Sequence, residues 1–142
     1  MKKLLLTAVV AFSTLVASAQ FMVVTTYDGD QEESMDKITT NMGVGYMVND
    51  MITVGIANGG DDAATGEGTY DIFARYNIAQ MEGAYASLTM PGDDAEDMSI
   101  GVGFAFNVWN GLYVEPNYTM PTSEDAEGNR EGSFNFGLSY RF

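Results

Sequence analysis

The chain has 142 residues, with twenty acidic side chains against six basic ones, a formal charge of −14, and neither histidine nor cysteine. That length holds one domain, and that charge excludes electrostatic binding to nucleic acid or to any anionic surface. Without thiols or imidazoles, disulfides, His/Cys zinc sites and histidine-assisted nucleophilic catalysis are all closed, so we expect neither enzymatic activity nor a cofactor.

Residues 1–19 pair Lys2 and Lys3 with an apolar run and end in Ala17-Ser18-Ala19. This is the form of a secretory signal peptide cleaved after Ala19, which leaves residues 20–142 as the folded domain. Losing the two lysines takes the formal charge from −14 to −16 and leaves Lys37, Arg75, Arg130 and Arg141 as the basic residues. Beyond the leader no apolar run reaches the roughly 18 residues of a membrane helix. An exported chain of this kind is either soluble or crosses a membrane as strands.

From Gln20 the pattern has period 2, broken at intervals by acidic, glycine-rich segments. Residues 20–27 place Phe21, Val23, Thr25 and Tyr27 on one face. After the break at 28–36, residues 37–48 set Ile38, Thr40, Met42, Val44, Tyr46 and Val48 opposite Thr39, Asn41, Gly43, Gly45 and Met47. Asn49-Asp50 makes a tight turn, and residues 51–57 return with Ile52, Val54 and Ile56 outward. A second break at 58–68 precedes residues 69–77, where Tyr70, Ile72, Ala74 and Tyr76 oppose Asp71, Phe73, Arg75 and Asn77. A short turn at 78–80 leads into residues 81–90; either facing fits the pattern, and Ala84, Ala86, Leu88 and Met90 are assigned outward in preference to Tyr85.

The third break spans 91–97. Residues 98–108 then set Ile100, Val102, Phe104, Phe106 and Val108 opposite Ser99, Gly101, Gly103, Ala105 and Asn107. Asn110-Gly111 suits a type I′ hairpin turn, because both residues tolerate positive φ. Residues 112–120 form the seventh segment. It contains Pro116, which has no N–H for a ladder, so a bulge or a lost bond is expected there.

The last segment, SFNFGLSYRF (133–142), alternates Phe134, Phe136, Leu138, Tyr140 and Phe142 with small or polar residues. Side chains alternate faces along a strand, so one side is oily and the other wet. Eight such segments, joined by connections that alternate long and short, predict an all-β, eight-stranded antiparallel up-and-down transmembrane β-barrel. The aromatics fit the same topology. Tyr27, Tyr70, Tyr118 and Phe134 fall at the long-loop ends of their strands; Phe21, Tyr46, Tyr76, Trp109, Tyr140 and Phe142 fall at the short-turn ends. Two such rows match the interfacial girdles of a membrane barrel.

The leader, the eight alternating segments and the terminal aromatic strand together resemble the small outer-membrane β-barrel proteins of Gram-negative bacteria, including the OmpA-type membrane domain and small porin-like barrels. The resemblance covers residues 20–142 in pattern rather than residue by residue. It implies a monomer in the cell outer membrane, with lipid and lipopolysaccharide around it. It also implies that Phe134, Phe136, Leu138, Tyr140 and Phe142 form the signal read by the barrel-assembly machinery.

Inside such a barrel the alternation places Asp71, Arg75, Glu115 and Arg141, with Arg75 and Glu115 at comparable heights and expected to pair across the lumen. An eight-stranded interior is just wide enough to be filled by side chains. Sixteen of the twenty acids lie in the four long breaks. Carboxylates at the loops, Asp28, Asp30, Asp93 and Asp94 among them, are candidates for bridging divalent cations, which prefer oxygen ligands. None of these loops has the spacing of a calcium-binding loop. The expectation is a structural or surface-interaction protein with acidic outer loops. The alternatives are a narrow ion or solute channel and a soluble periplasmic lipocalin-like carrier, whose apolar faces would point inward.

Overall fold

The computed structural model describes residues 20–61, 64–92 and 96–142. The expected signal peptide (1–19) and the candidates Asp93 and Asp94 lie outside the described residues. The elements are β1 (Phe21–Thr26), the helical turn α1 (Asp36–Thr39), β2 (Gly43–Met47), β3 (Ile52–Asp61), β4 (Gly68–Asn77), β5 (Ala84–Pro91), β6 (Ser99–Phe104), β7 (Phe106–Trp109), β8 (Leu112–Pro121) and β9 (Ser133–Arg141).

All the strands belong to one antiparallel sheet, ordered β6-β5-β4-β3-β2-β1-β9-β8-β7, and β6 also pairs with β8. That pairing closes the sheet into an eight-stranded barrel, with β7 as an additional short strand continuing the line of β6 along β8. The first and last strands meet in register from Met22↔Arg141 to Thr26↔Gly137. Beyond the ladder, Tyr27 N–H donates to Phe136 C=O at 2.8 Å and Phe142 N–H donates to Phe21 C=O at 3.0 Å.

The oily side of the alternation faces out. Val54, Ile56, Tyr70, Ile72, Tyr76, Ile100, Val102, Phe134 and Phe136 are all exposed. Among the described residues the buried apolar side chains are Met22, Phe73, Ala84, Tyr85 and Ala105, joined by buried Thr53, Glu115 and Ser139. The interior thus mixes a few bulky fillers with polar groups. Phe73 fits because β3 passes it with Gly55, whose added Cβ would collide with the Phe73 ring and with Val44 C=O.

Three segments depart from the alternation read in the sequence. Residues 37–48 are not one strand, because residues 36–39 coil into α1 and only Gly43–Met47 pair. Ile38 and Met42 share strand spacing, but Met35, Ile38 and Met42 together recur at helical spacing, and Thr39 and Thr40 hydroxyls donate back to Met35 and Asp36 carbonyls at 3.0 and 2.7 Å. Those bonds satisfy the coiled backbone locally. α1 stays tied to the wall by bonds from Asp28 N–H to Lys37 C=O (2.9 Å) and from Asn58 Nδ2 to Thr40 C=O (2.7 Å).

Residues 98–108 are interrupted between β6 and β7. β8 pairs with β6 as far as Gly103↔Asn117 and resumes with β7 at Phe106↔Val114. The gap lies opposite Pro116. On its other side Pro116 sits across from Phe136, whose carbonyl is turned toward β1 by the bond from Tyr27. The proline nitrogen therefore points at the β6–β7 flank, where it has no hydrogen to give. On the opposite flank the β5 side continues unbroken, with Ala105 N–H donating to Gly83 C=O at 2.8 Å one step beyond the Ala84↔Phe104 pair.

β5 begins at Ala84 rather than Met81, because residues 81–83 complete the turn and Gly83 takes φ +86°. Its facing places Tyr85 inward and Leu88 outward; Ala84, assigned outward, is buried and pairs with Phe104. The turn at Asn110-Gly111 has the expected positive φ at both positions, +29° and +90°.

Candidate functional site

The lumen is organised around one carboxylate. β8 carries Glu115, whose side chain is 2% exposed, and three donors converge on it from β4 and β9. Arg75 Nη1 lies 2.8 Å from Oε2 and 3.0 Å from Oε1. Ser139 Oγ donates to Oε1 at 2.6 Å, and Arg141 Nη2 approaches the same oxygen at 3.4 Å. Of the four lumenal charges read from sequence, the structure brings Arg75, Glu115 and Arg141 together and places Asp71 higher, on the wall of a cavity above them.

Two rings complete the cluster. The Arg75 guanidinium lies 4.1 Å from the centre of the Tyr85 ring, and that of Arg141 lies 4.0 Å from the centre of the Tyr113 ring. Both Nε groups are buried without a hydrogen-bond partner among the described residues, so each cation gains attraction from an aromatic face in place of a further acceptor. Ser139 and Tyr85 were not singled out from sequence. Ser139 was legible in principle, since it lies two residues before inward Arg141 on the same face; Tyr85 sat on the strand whose facing was ambiguous.

The two arginines are not equivalent. The Arg75 side chain is 11% exposed and borders the cavity on the long-loop side, whereas that of Arg141 is 24% exposed and sits at the short-turn end of β9. Together with Met22, Phe73 and Tyr85, the cluster fills the lower lumen. Above it lies a cup of about 290 Å³, bordered by Asp71, Arg75, Ser87, Thr89, Asn117 and Asn135 among others, on the side of the acidic loops.

The sequence matches no protein-family model, and no curated protein or solved structure is significantly similar to the chain.

At the rim, the Asp28 carboxylate accepts from Gln31 Nε2 at 3.1 Å and from Asp30 N–H at 3.0 Å. These bonds, the Gln31 side chain foremost, hold its pKa below the ordinary 3.8. Asp28 is thus engaged within its own turn. Among the described residues no group of three or more His, Cys, Asp or Glu side chains converges as a metal site. On the outer wall Tyr27, Tyr46, Tyr70, Tyr76, Trp109 and Tyr118 are all exposed. Edge-on ring pairs join Phe134 to Phe136 and Tyr140 to Phe142 at centroid distances of 5.2 and 4.9 Å. Leu138, between these pairs, is half-buried.

Proposed function

We propose that the chain is a non-enzymatic β-barrel of the bacterial outer membrane, exported by its leader, with a structural or surface-interaction role carried by its acidic loops. The observation that carries this reading is the inverted distribution of polarity. Large apolar side chains ring the outside of the barrel, while the ion cluster is buried within it. In water such a wall would expose far more contiguous apolar surface than a soluble protein tolerates. A lipocalin-like carrier needs the opposite facing.

Four strands have the length of a tilted membrane strand, roughly 9–11 residues: β3, β4, β8 and β9, with 10, 10, 10 and 9; β1, β2, β5 and β6 are shorter, with 6, 5, 8 and 6. Aromatic rows at both ends suit the two headgroup layers. Phe134, Phe136, Leu138, Tyr140 and Phe142 fit the terminal-strand signal of barrel assembly. The filled lower lumen favours a structural role over conduction, because Glu115 and its partners occupy the axis.

Membrane fractionation followed by heat-modifiable gel migration tests the proposal. Recovery with the outer membrane, and faster migration of unheated protein, are expected. Recovery in the soluble periplasmic fraction would overturn it.

A further inference from the structure

One sector of the barrel wall lacks a strand in its long-loop half. β2 starts only at Gly43, which pairs with Val24 of β1 and Ala57 of β3, while β1 runs on to Thr26 and β3 to Asp61. Residues 35–42, which include α1, take the place of the missing length. From the β1 side, Asp28 N–H donates to Lys37 C=O at 2.9 Å and Thr25 Oγ1 donates to Ile38 C=O. From the β3 side, Asn58 Nδ2 donates to Thr40 C=O at 2.7 Å and Asn58 N–H donates to Met42 C=O at 3.0 Å. The segment is stitched into the wall along both edges.

Its backbone acceptors are spent on the protein. Besides those four carbonyls, Met35 C=O accepts from Ile38 and Thr39 N–H, Asp36 C=O from Thr40 N–H, and Thr39 C=O from Met42 N–H, at 3.0 to 3.2 Å. The Thr39 and Thr40 hydroxyls also turn back onto the helical turn. A loop in water has no need of such closure, whereas backbone at the depth of hydrocarbon requires it.

The side chains point to the same surroundings. Met35, Ile38 and Met42 share one helical face and are 70%, 38% and 37% exposed. They lie where the apolar belt of the wall would otherwise break. The long-loop row of rings has Tyr27 on β1's end and Tyr70 on β4, and the one aromatic between them in sequence, Tyr46, belongs to the short-turn end. On β2 and β3 the outward apolar pair Val44↔Ile56 is followed on β3 by Asn58, which stands opposite Tyr70. The stripe sits at that height, since Asn58 and Thr25 are the residues that hold it.

We propose that residues 35–42 are a lipid-facing part of the wall, with Met35, Ile38 and Met42 seated among the acyl chains of the leaflet at the long-loop end, just beneath its headgroups. The first loop is thereby anchored in the membrane, and its acidic stretch from Asp28 to Glu33 is held at the membrane surface. This rests on the membrane location proposed above, and the test separates the two.

The chain has no cysteine, so a nitroxide can be placed at one position at a time. Ile38→Cys and Met42→Cys probe the stripe, Ile56→Cys the strand wall, and Glu124→Cys an exposed loop. Each labelled barrel is reconstituted into phosphatidylcholine vesicles, with heat-modifiable migration confirming that it folds. Electron paramagnetic resonance then compares collisions with oxygen, which concentrates in hydrocarbon, and with neutral nickel ethylenediaminediacetate, which stays in water. The oxygen-to-nickel ratio at positions 38 and 42 is expected to match that at 56 and to exceed that at 124 several-fold. Ratios at 38 and 42 equal to that at 124, with position 56 still rich in oxygen collisions, would overturn this proposal and leave the membrane location standing. A nickel-rich position 56 would overturn both.

Discussion

Removing the charge of Glu115 should be the most damaging single change in the lumen. Glu115 is 2% exposed and is shared by two guanidiniums and a hydroxyl, so Glu115→Gln leaves Arg75 buried at 11% exposure without the ion pair it makes at 2.8 Å. Deleting one partner of a buried pair costs about 3–5 kcal/mol, chiefly through the charge left behind, and the upper end applies here. Arg75→Met removes the shorter of the two ion pairs but leaves Glu115 with Ser139 and Arg141, which places its cost near the lower end, about 3 kcal/mol. Arg141→Ala gives up a 3.4 Å contact from a side chain already 24% exposed, for a cost of about 1 kcal/mol. Urea unfolding of the reconstituted barrel, read by heat-modifiable migration, should therefore rank the losses as Glu115, then Arg75, then Arg141. A neutral Glu115→Gln, or an Arg141→Ala as costly as Arg75→Met, would refute the reasoning. The same geometry bears on a charge swap. In the double variant Arg75→Glu with Glu115→Arg the new arginine would face Arg141, so the swap should recover only part of the loss of Arg75→Glu alone.

Gly55→Ala forces a Cβ into the Phe73 ring and the β2 backbone, and should lower unfolding stability by about 1–3 kcal/mol, whereas Gly60→Ala, in open space, should cost only the strain of its +89° φ. Pro116→Ala restores an N–H facing the β6–β7 gap; hydrogen exchange should find that amide protected if the proline alone breaks the ladder, and freely exchanging if it does not. The Asp28 carboxylate should titrate below 3.8 by NMR, and Gln31→Ala should move it back up toward that value. Because its folded pKa is lowered, the bonds it makes stabilise the loop above the unfolded value and are lost as pH falls through the folded one. A midpoint at or above 3.8 would contradict the turn geometry.

Much of this architecture was readable because strand alternation is a local signal. β9 alternates without exception, so the inward positions of Gly137, Ser139 and Arg141 followed directly from the outward aromatics. Arg75 and Glu115 could be matched in height since their strands are regular and their turns short. What resisted reading was set by competing local bonds or by long-range backbone demands. Residues 37–42 keep the strand period, yet Met35, Ile38 and Met42 fit the helical one, and threonine back-bonding decided for the helical turn. The facing of β5 hung on a turn whose length depended on Gly83 taking positive φ. Pro116 announced a lost ladder bond, but where the partner strand would break depended on which neighbour the proline nitrogen faced, a property of the closed barrel. That Glu115 serves two arginines at once also required the three-dimensional register.

The central claim is that the outer wall faces lipid, and Trp109 reports on it most directly. It is the single tryptophan, 73% exposed on that wall beside the short Asn110-Gly111 turn. In vesicles containing lipids brominated at graded depths, its fluorescence should be quenched most strongly by bromines near the headgroup end of the acyl chain and hardly at all by an aqueous quencher. Strong aqueous quenching, with none from any brominated lipid, would contradict the account.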